Sequence, residues 1–105
     1  MKHGLTDGTL AEIQAVLAKF PDVETALLYG SRARGNHRPG SDIDLTLIGT
    51  GLTSKILGQI QSELEDSYLP YSFDVSIMHQ ITQPDLLDHI RRVGVVFYQK
   101  KAVPA

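Results

Sequence analysis

The sequence contains no cysteine and no tryptophan, and aromatic residues make up only 7% of it. Without cysteine, disulfide bonds and thiolate metal sites are excluded. No apolar run approaches the roughly 18 residues that a membrane-spanning helix needs. No apolar signal-peptide core follows the first residues. We therefore expect a cytoplasmic protein that has no membrane partner.

The sequence also lacks an excess of basic residues, since ten lysines and arginines stand against twelve acidic residues. Proteins that bind long nucleic acids usually carry a basic face, so a net charge of −2 argues against that role. A hydrophobic content of 42% is ordinary for a globular protein. The length predicts one domain, residues 1–105, whose modest core would gain from a partner that adds buried surface.

Helical and strand-like segments alternate along the chain. Thr9 and Glu12 predict a capping box at the start of the first helix, which Pro21 ends. Strands are then predicted at 25–29, 42–48, 72–77 and 95–98, with a short helix after Ser31 and longer helices at 52–67 and 83–93, the last closed by Gly94. This order predicts an α/β (α+β) fold, in which helices pack on one face of a small mixed β-sheet.

Two of the predicted strands share a design with one apolar face and one acidic or hydroxylated face. Asp42 and Asp44 share a face of the first of these strands, and Asp74 lies on the corresponding face of the second. If the strands are neighbours, three carboxylates converge and repel one another. Mg²⁺ would remove that conflict, and two such ions about 3.5–4 Å apart could clamp the attacking and leaving oxygens of an in-line displacement. Taken alone, an Asp-x-Asp pair is more often simply solvated on a sheet face.

The segment before the aspartate pair favours the functional interpretation. Ser31 can begin a helix whose free N–H groups bind phosphate, and Gly30 lets a phosphate approach the backbone closely. Ten residues separate Ser31 from Asp42. The pattern Gly-Ser-x₁₀-Asp-x-Asp would arise by chance in roughly one chain in a thousand of this length. A predicted phosphate-binding turn and a predicted metal-binding pair therefore lie at the two ends of one connection.

Three further polar residues are candidates for the same site. Arg32 and Arg34 could contact a triphosphate because a guanidinium group matches phosphate oxygens, with at most one of them in direct contact. The alternative is that both are solvated charges on a helix turn. Ser41 could orient the loop before the strand through a hydrogen bond to the backbone, or it could be an ordinary turn residue. The four histidines show no ligand spacing and are not expected to be catalytic.

Two segments of the chain resemble the signature of the DNA polymerase β-like nucleotidyltransferase superfamily, namely GSRARG at residues 30–35 and SDIDL at residues 41–45. Within it, the chain is most similar to the minimal nucleotidyltransferases (MNT), the MntA-type antitoxins of HEPN/MNT toxin–antitoxin pairs. The resemblance covers essentially the whole chain. It includes the third-carboxylate strand around Asp74 and the terminal strand at residues 94–98.

The resemblance implies that Asp42 and Asp44 bind the metals, and that Asp74 completes the site and helps to activate the attacking hydroxyl. It also implies Mg²⁺-dependent transfer of AMP from ATP to a tyrosine of a cognate helical HEPN toxin, with which the antitoxin forms a hetero-oligomer. Two alternatives are a non-catalytic antitoxin that neutralises its partner by contact, and a stand-alone transferase that acts on a small molecule such as an aminoglycoside.

Overall fold

A computed structural model describes residues 2–101, so both ends of the predicted domain, residues 1 and 105, lie outside the described residues. The predicted order of helices and strands is confirmed, with an added 3-10 helix at Met78–Gln80. No helix within residues 2–101 is both long and apolar enough to cross a membrane. The elements are α1 (Asp7–Ala18), β1 (Thr25–Tyr29), α2 (Gly30–Arg34), β2 (Ile43–Ile48), α3 (Ser54–Asp66), β3 (Phe73–Ile77), α4 (Pro84–Val93) and β4 (Val95–Gln99).

The four strands form one mixed sheet, as predicted, and their order in the sheet is β3-β2-β1-β4. β1 pairs antiparallel with both β2 and β4, whereas β2 and β3 run parallel. Because of these directions, the carboxyl end of β1 and the amino ends of β2 and β3 lie at the same edge of the sheet. We call this edge the site edge.

The hydrophobic core lies between one face of the sheet and the helices α1 and α3. α1 packs against α3 and β4, and α3 packs against β3. Each fully buried leucine or isoleucine contributes about 1.5–3 kcal/mol relative to exposure. α4 packs against α2 and β1, where Ile90 is buried. The alternating apolar residues of β2 and β3 are almost completely buried, as predicted: Ile43, Leu45, Leu47, Phe73, Val75 and Ile77.

The start of α1 differs from the prediction. Thr6 is the N-cap residue, and its hydroxyl oxygen accepts a hydrogen bond from the backbone N–H of Thr9 at 3.2 Å. The predicted capping box of Thr9 and Glu12 is wrong, because Thr9 lies inside the first turn and donates to the cap. The prediction for the end of α4 is confirmed, since the Gly94 N–H donates to the carbonyl of Ile90 at 2.7 Å.

β4 is an edge strand that contains a β-bulge. Two adjacent residues of β1 face Val96 and Tyr98, so Phe97 is the extra residue between them. The carbonyl oxygen of Phe97 accepts a hydrogen bond from Nε2 of Gln14 on α1 at 2.9 Å. The helix thus satisfies a backbone group that the bulge leaves outside the ladder.

Candidate active site

Three aspartates lie at the site edge. Asp44 and Asp74 are direct partners in the parallel register of β2 and β3, so their side chains leave the same face from backbones about 4.8 Å apart. Asp42 stands one residue before β2, which begins at Ile43 rather than at 42 as predicted. Asp42 and Asp74 are exposed, whereas Asp44 is half-buried.

The arrangement of the three aspartates disfavours ionisation of the Asp44 carboxyl group. Burial raises its pKa, and the negative charges of Asp74 and Asp42 raise it further, while the positive charge of Arg32 acts in the opposite direction. The negative charges of Asp42 and Asp74 therefore both act on the carboxyl group of Asp44. A bound cation would relieve this repulsion.

The donor groups at the site edge fit a hard cation, since carboxylate oxygens are the ligands that Mg²⁺ prefers. Within residues 2–101, no three histidine, aspartate or glutamate side chains are already arranged to hold a metal ion by themselves. Mg²⁺ rarely needs such an arrangement, because it is usually held by one or two carboxylates together with substrate phosphates and water. Asp44 and Asp74, with Asp42 beside them, fit an ion that arrives with a triphosphate, and its binding stays a prediction.

Gly30 connects β1 to α2 and lies directly against Asp44. Its φ of +75° is in the left-handed region that favours glycine. A Cβ atom at this position would overlap Oδ2 of Asp44. The structure therefore brings the turn of Gly30 and Ser31 next to the aspartates. That these two residues bind phosphate stays a prediction.

The backbone N–H of Gly30 already has an acceptor. It donates to Nε2 of His89 on α4 at 3.2 Å. The His89 ring meets the Tyr29 ring edge-on, with centroids 6.1 Å apart and an interplanar angle of 81°. His89 is not among the predicted site residues, because it has no spacing relation to the other histidines. The available signal was its place beside buried Ile90 on the inward side of an amphipathic helix.

A layer of hydroxyl groups lies close to the carboxylates. Burial raises the pKa of Tyr29, a hydrogen bond with Ser76 opposes this, and the charges of Asp74 and Asp44 raise it again. The Ser76 hydroxyl donates to Oγ1 of the fully buried Thr46 at 3.0 Å. These contacts tie β1, β2 and β3 together at the level of the predicted catalytic residues.

Arg32 is placed differently from its predicted role as a phosphate ligand. It is only 2% exposed. Its guanidinium group donates to the carbonyl of His3 at 2.8 Å and twice to the carbonyl of Ser41, at 3.1 and 2.8 Å. It also lies 5.0 Å from the ring centroid of Tyr71. This geometry supports a role as an anchor between distant backbone segments, whereas Arg34 is exposed and its guanidinium group can turn towards a ligand.

Ser41 closes the connection between α2 and β2. Its hydroxyl donates to the carbonyl of Arg38 at 2.7 Å and accepts from the N–H of Arg38 at 2.9 Å. This is the kind of side-chain-to-backbone contact predicted for it. The turn fixes the backbone immediately before Asp42. A direct contact between Ser41 and a phosphate stays a prediction.

We expect Arg32→Lys to lower the free energy of unfolding by about 2 kcal/mol, because lysine lacks the planar fork of N–H donors with which Arg32 bonds both carbonyls, so a buried acceptor loses its hydrogen bond. The matched control is Arg34→Lys, which changes an exposed side chain of the same helix and should alter stability by less than about 0.5 kcal/mol. Chemical denaturation of both variants measures the difference. Equal stability of the two variants would contradict the anchoring role.

Comparison with known proteins identifies the class of this chain. The family model described as "Polymerase beta, Nucleotidyltransferase" matches residues 11–102, which include the turn and all three aspartates. The chain therefore belongs to the polymerase β nucleotidyltransferase family, and it is a nucleotidyltransferase-type enzyme domain. The resemblance predicted from residues 30–35 and 41–45 is confirmed at the level of the family.

Solved structures with the same fold include minimal nucleotidyltransferases of toxin–antitoxin pairs. A toxin–antitoxin complex with AMP-PNP matches with a TM-score of 0.69 and 17% identity, over 92% of this chain and 76% of that chain. The complex of the tri-AMPylated Shewanella oneidensis HEPN toxin with MNT antitoxin matches with a TM-score of 0.68 and 16% identity, over 91% and 74%. A candidate nucleotidyltransferase from Sulfolobus solfataricus matches with a TM-score of 0.55 and 24% identity, over 88% and 79%. No curated protein sequence matches the chain.

Proposed function

We propose that this nucleotidyltransferase is the antitoxin of a toxin–antitoxin pair, and that it transfers AMP from ATP to a tyrosine hydroxyl of a helical HEPN toxin in the cytoplasm. The observation that carries the proposal is the pairing of Asp44 with Asp74 in parallel register, with Gly30 packed against Asp44. The shared fold with an MNT antitoxin in complex with an AMPylated toxin, and with a complex that holds AMP-PNP, supports the donor and the acceptor.

Each residue of the site edge has a distinct part in this proposal. Asp42, Asp44 and Asp74 hold Mg²⁺, which when bound neutralises the charge of the triphosphate. Ser31 donates its backbone N–H and hydroxyl to phosphate oxygens. Arg34, which is exposed on α2, reaches the outer phosphates with a charge-assisted contact. The buried contacts of Arg32 and Ser41 keep the connection between these groups in place.

The chemical step is an in-line displacement at the α-phosphorus. The oxygen of the acceptor hydroxyl forms a bond to phosphorus, the bond to the bridging oxygen breaks, and pyrophosphate leaves with the electron pair. The exposed carboxylate of Asp74 accepts the hydroxyl proton. Positioning of the reactants and neutralisation of charge supply most of the rate enhancement.

The exposure of the site supports a protein as the acceptor. Asp42 and Asp74 are both exposed at the site edge, so a tyrosine presented on a partner surface can reach the α-phosphate there. A neutral tyrosine is a weak nucleophile, with a pKa near 10 in water. A carboxylate beside the hydroxyl is therefore needed to remove the proton as the bond forms.

The test is co-expression with the small helical protein encoded by the adjacent gene, followed by mass spectrometry of that protein. We expect one or more of its tyrosines to gain the mass of AMP. The double variant Asp42→Asn, Asp44→Asn is the control and should leave the partner unmodified. A partner that is neutralised but never modified would contradict transfer and favour the contact-only antitoxin. Incubation of the purified pair with each labelled nucleoside triphosphate and Mg²⁺ identifies the donor.

A further inference from the structure

We infer that His89 is a positioning residue of this site, whose imidazole holds the Gly30 amide and thereby fixes the turn against the carboxylate of Asp44. The inference rests on the proposed function, since it assigns a role within the same site. His89 belongs to α4, which packs on α2 and β1. A helix outside the main core therefore contacts the predicted nucleotide-binding turn.

The hydrogen bond from Gly30 to His89 provides an acceptor for a backbone N–H at the start of α2. The first N–H groups of any helix have no acceptor within the helix. The residue before α2 is Tyr29, and its side chain forms no capping hydrogen bond. Nε2 of His89 supplies the acceptor from another helix, 59 residues along the chain. To accept this bond, the imidazole must be neutral, with its proton on Nδ1.

Gly30 also packs against Asp44. The hydrogen bond that holds Gly30 therefore also restrains the position of the Asp44 carboxylate. The space that a Cβ atom of residue 30 would occupy is filled by Oδ2 of Asp44. Gly30 therefore cannot shift towards β2 without displacing the carboxylate. His89 bonds the amide of the same residue, so the turn is restrained both by a hydrogen bond and by packing.

The orientation of His89 is itself fixed by its surroundings. Its ring meets the ring of Tyr29 edge-on, an arrangement that is favourable for aromatic pairs. The next residue, Ile90, is 1% exposed and holds the helix in place. Because the Gly30 amide is occupied, phosphate oxygens would bind Ser31 rather than Gly30. Gly30 then serves the site through its backbone conformation and its lack of a side chain.

The test compares His89→Ala, which removes the acceptor, with His89→Gln, whose amide oxygen can replace it. His79→Ala is the matched control, because His79 is an exposed histidine of the 3-10 helix. Titration calorimetry measures the Kd for MgATP, and amide hydrogen exchange followed by NMR reports directly on Gly30. In the transfer assay, KM is determined separately for MgATP and for the toxin.

For His89→Ala we expect MgATP binding to weaken about five- to tenfold, as for the loss of one structural hydrogen bond at a binding site. Exchange of the Gly30 amide should accelerate, and KM should rise for MgATP but not for the toxin. His89→Gln should restore most of the affinity for MgATP and most of the protection of the Gly30 amide. His79→Ala should match the wild type. A general loss of packing would not be recovered by glutamine.

Three results would overturn the inference, and the last can be distinguished from the other two. If the wild-type chain binds MgATP and His89→Ala binds it equally well, or if the alanine and glutamine variants weaken alike, His89 does not position the turn. If the wild-type chain itself fails to bind MgATP, the proposed function is contradicted and the role of His89 within it falls as well.

Discussion

Asp44→Asn is expected to reduce the rate of nucleotide transfer at least about a hundredfold. Loss of a single electrostatic contact to a reacting centre typically lowers kcat by this factor or more. Asp44 is the half-buried member of the three aspartates and the one that contacts Gly30. An asparagine of the same shape keeps that packing but removes the negative charge that would hold Mg²⁺. The rate of label transfer from ATP to the partner measures the effect.

The same substitution should leave the free energy of unfolding unchanged or increase it. Burial and the charges of Asp74 and Asp42 disfavour the ionised carboxylate, so a neutral amide relieves both costs. Thermal unfolding of the variant checks this. The control is Asp88→Asn, because Asp88 is exposed on α4 and only forms a surface ion pair with Arg92. Wild-type activity in Asp44→Asn would show that this carboxylate is not part of the chemistry.

Gly30→Ala should also reduce transfer at least about a hundredfold, for a steric reason. A methyl group at residue 30 collides with Oδ2 of Asp44, and the backbone φ of +75° disfavours any L-residue. Either the carboxylate or the turn must move, and a shift of about 1 Å in a catalytic group is enough for a loss of this size. Transfer of label from ATP to the partner again measures the effect.

Gly35→Ala is a matched control for this substitution. Gly35 has a similar φ of +81°, but a Cβ at this position would meet no heavy atom within 4 Å apart from those of its immediate neighbours in the chain. Both variants should lose about 1–2 kcal/mol of stability through the left-handed backbone conformation. Only Gly30→Ala disturbs Asp44, so Gly35→Ala should retain most of the transfer activity. If both variants lose activity equally, backbone strain rather than the contact with Asp44 is the cause.

The strands and their faces could be predicted because alternation is a local property of the sequence. The apolar side of β2 and the polar positions of Asp44 and Asp74 follow from a period of two residues. The placement of Asp44 opposite Asp74 required one further assumption, that β2 and β3 are neighbours. That assumption is correct, and the parallel register then places the two carboxylates side by side. Asp42 lies just outside the strand, where periodicity no longer determines direction.

The features that could not be predicted depend on contacts between residues far apart in the chain. Arginine is rarely buried, and nothing near Arg32 in the sequence indicates that the carbonyls of His3 and Ser41 will bind it. The contact between His89 and Gly30 likewise depends on how α4 packs after folding. The start of α1 was missed for a different reason. Thr6 and Thr9 both resemble caps, and Glu12 favoured the wrong one.

The bulge of β4 has a consequence for how these molecules behave at high concentration. An exposed strand edge invites another chain to add to the sheet, which is a common route to aggregation. At Phe97 the backbone carbonyl is already bound by Gln14, and the bulge twists the strand out of a flat register. An incoming strand would first have to displace that glutamine. Gln14 of the first helix therefore helps to prevent edge-to-edge pairing of the sheet with a strand of another molecule.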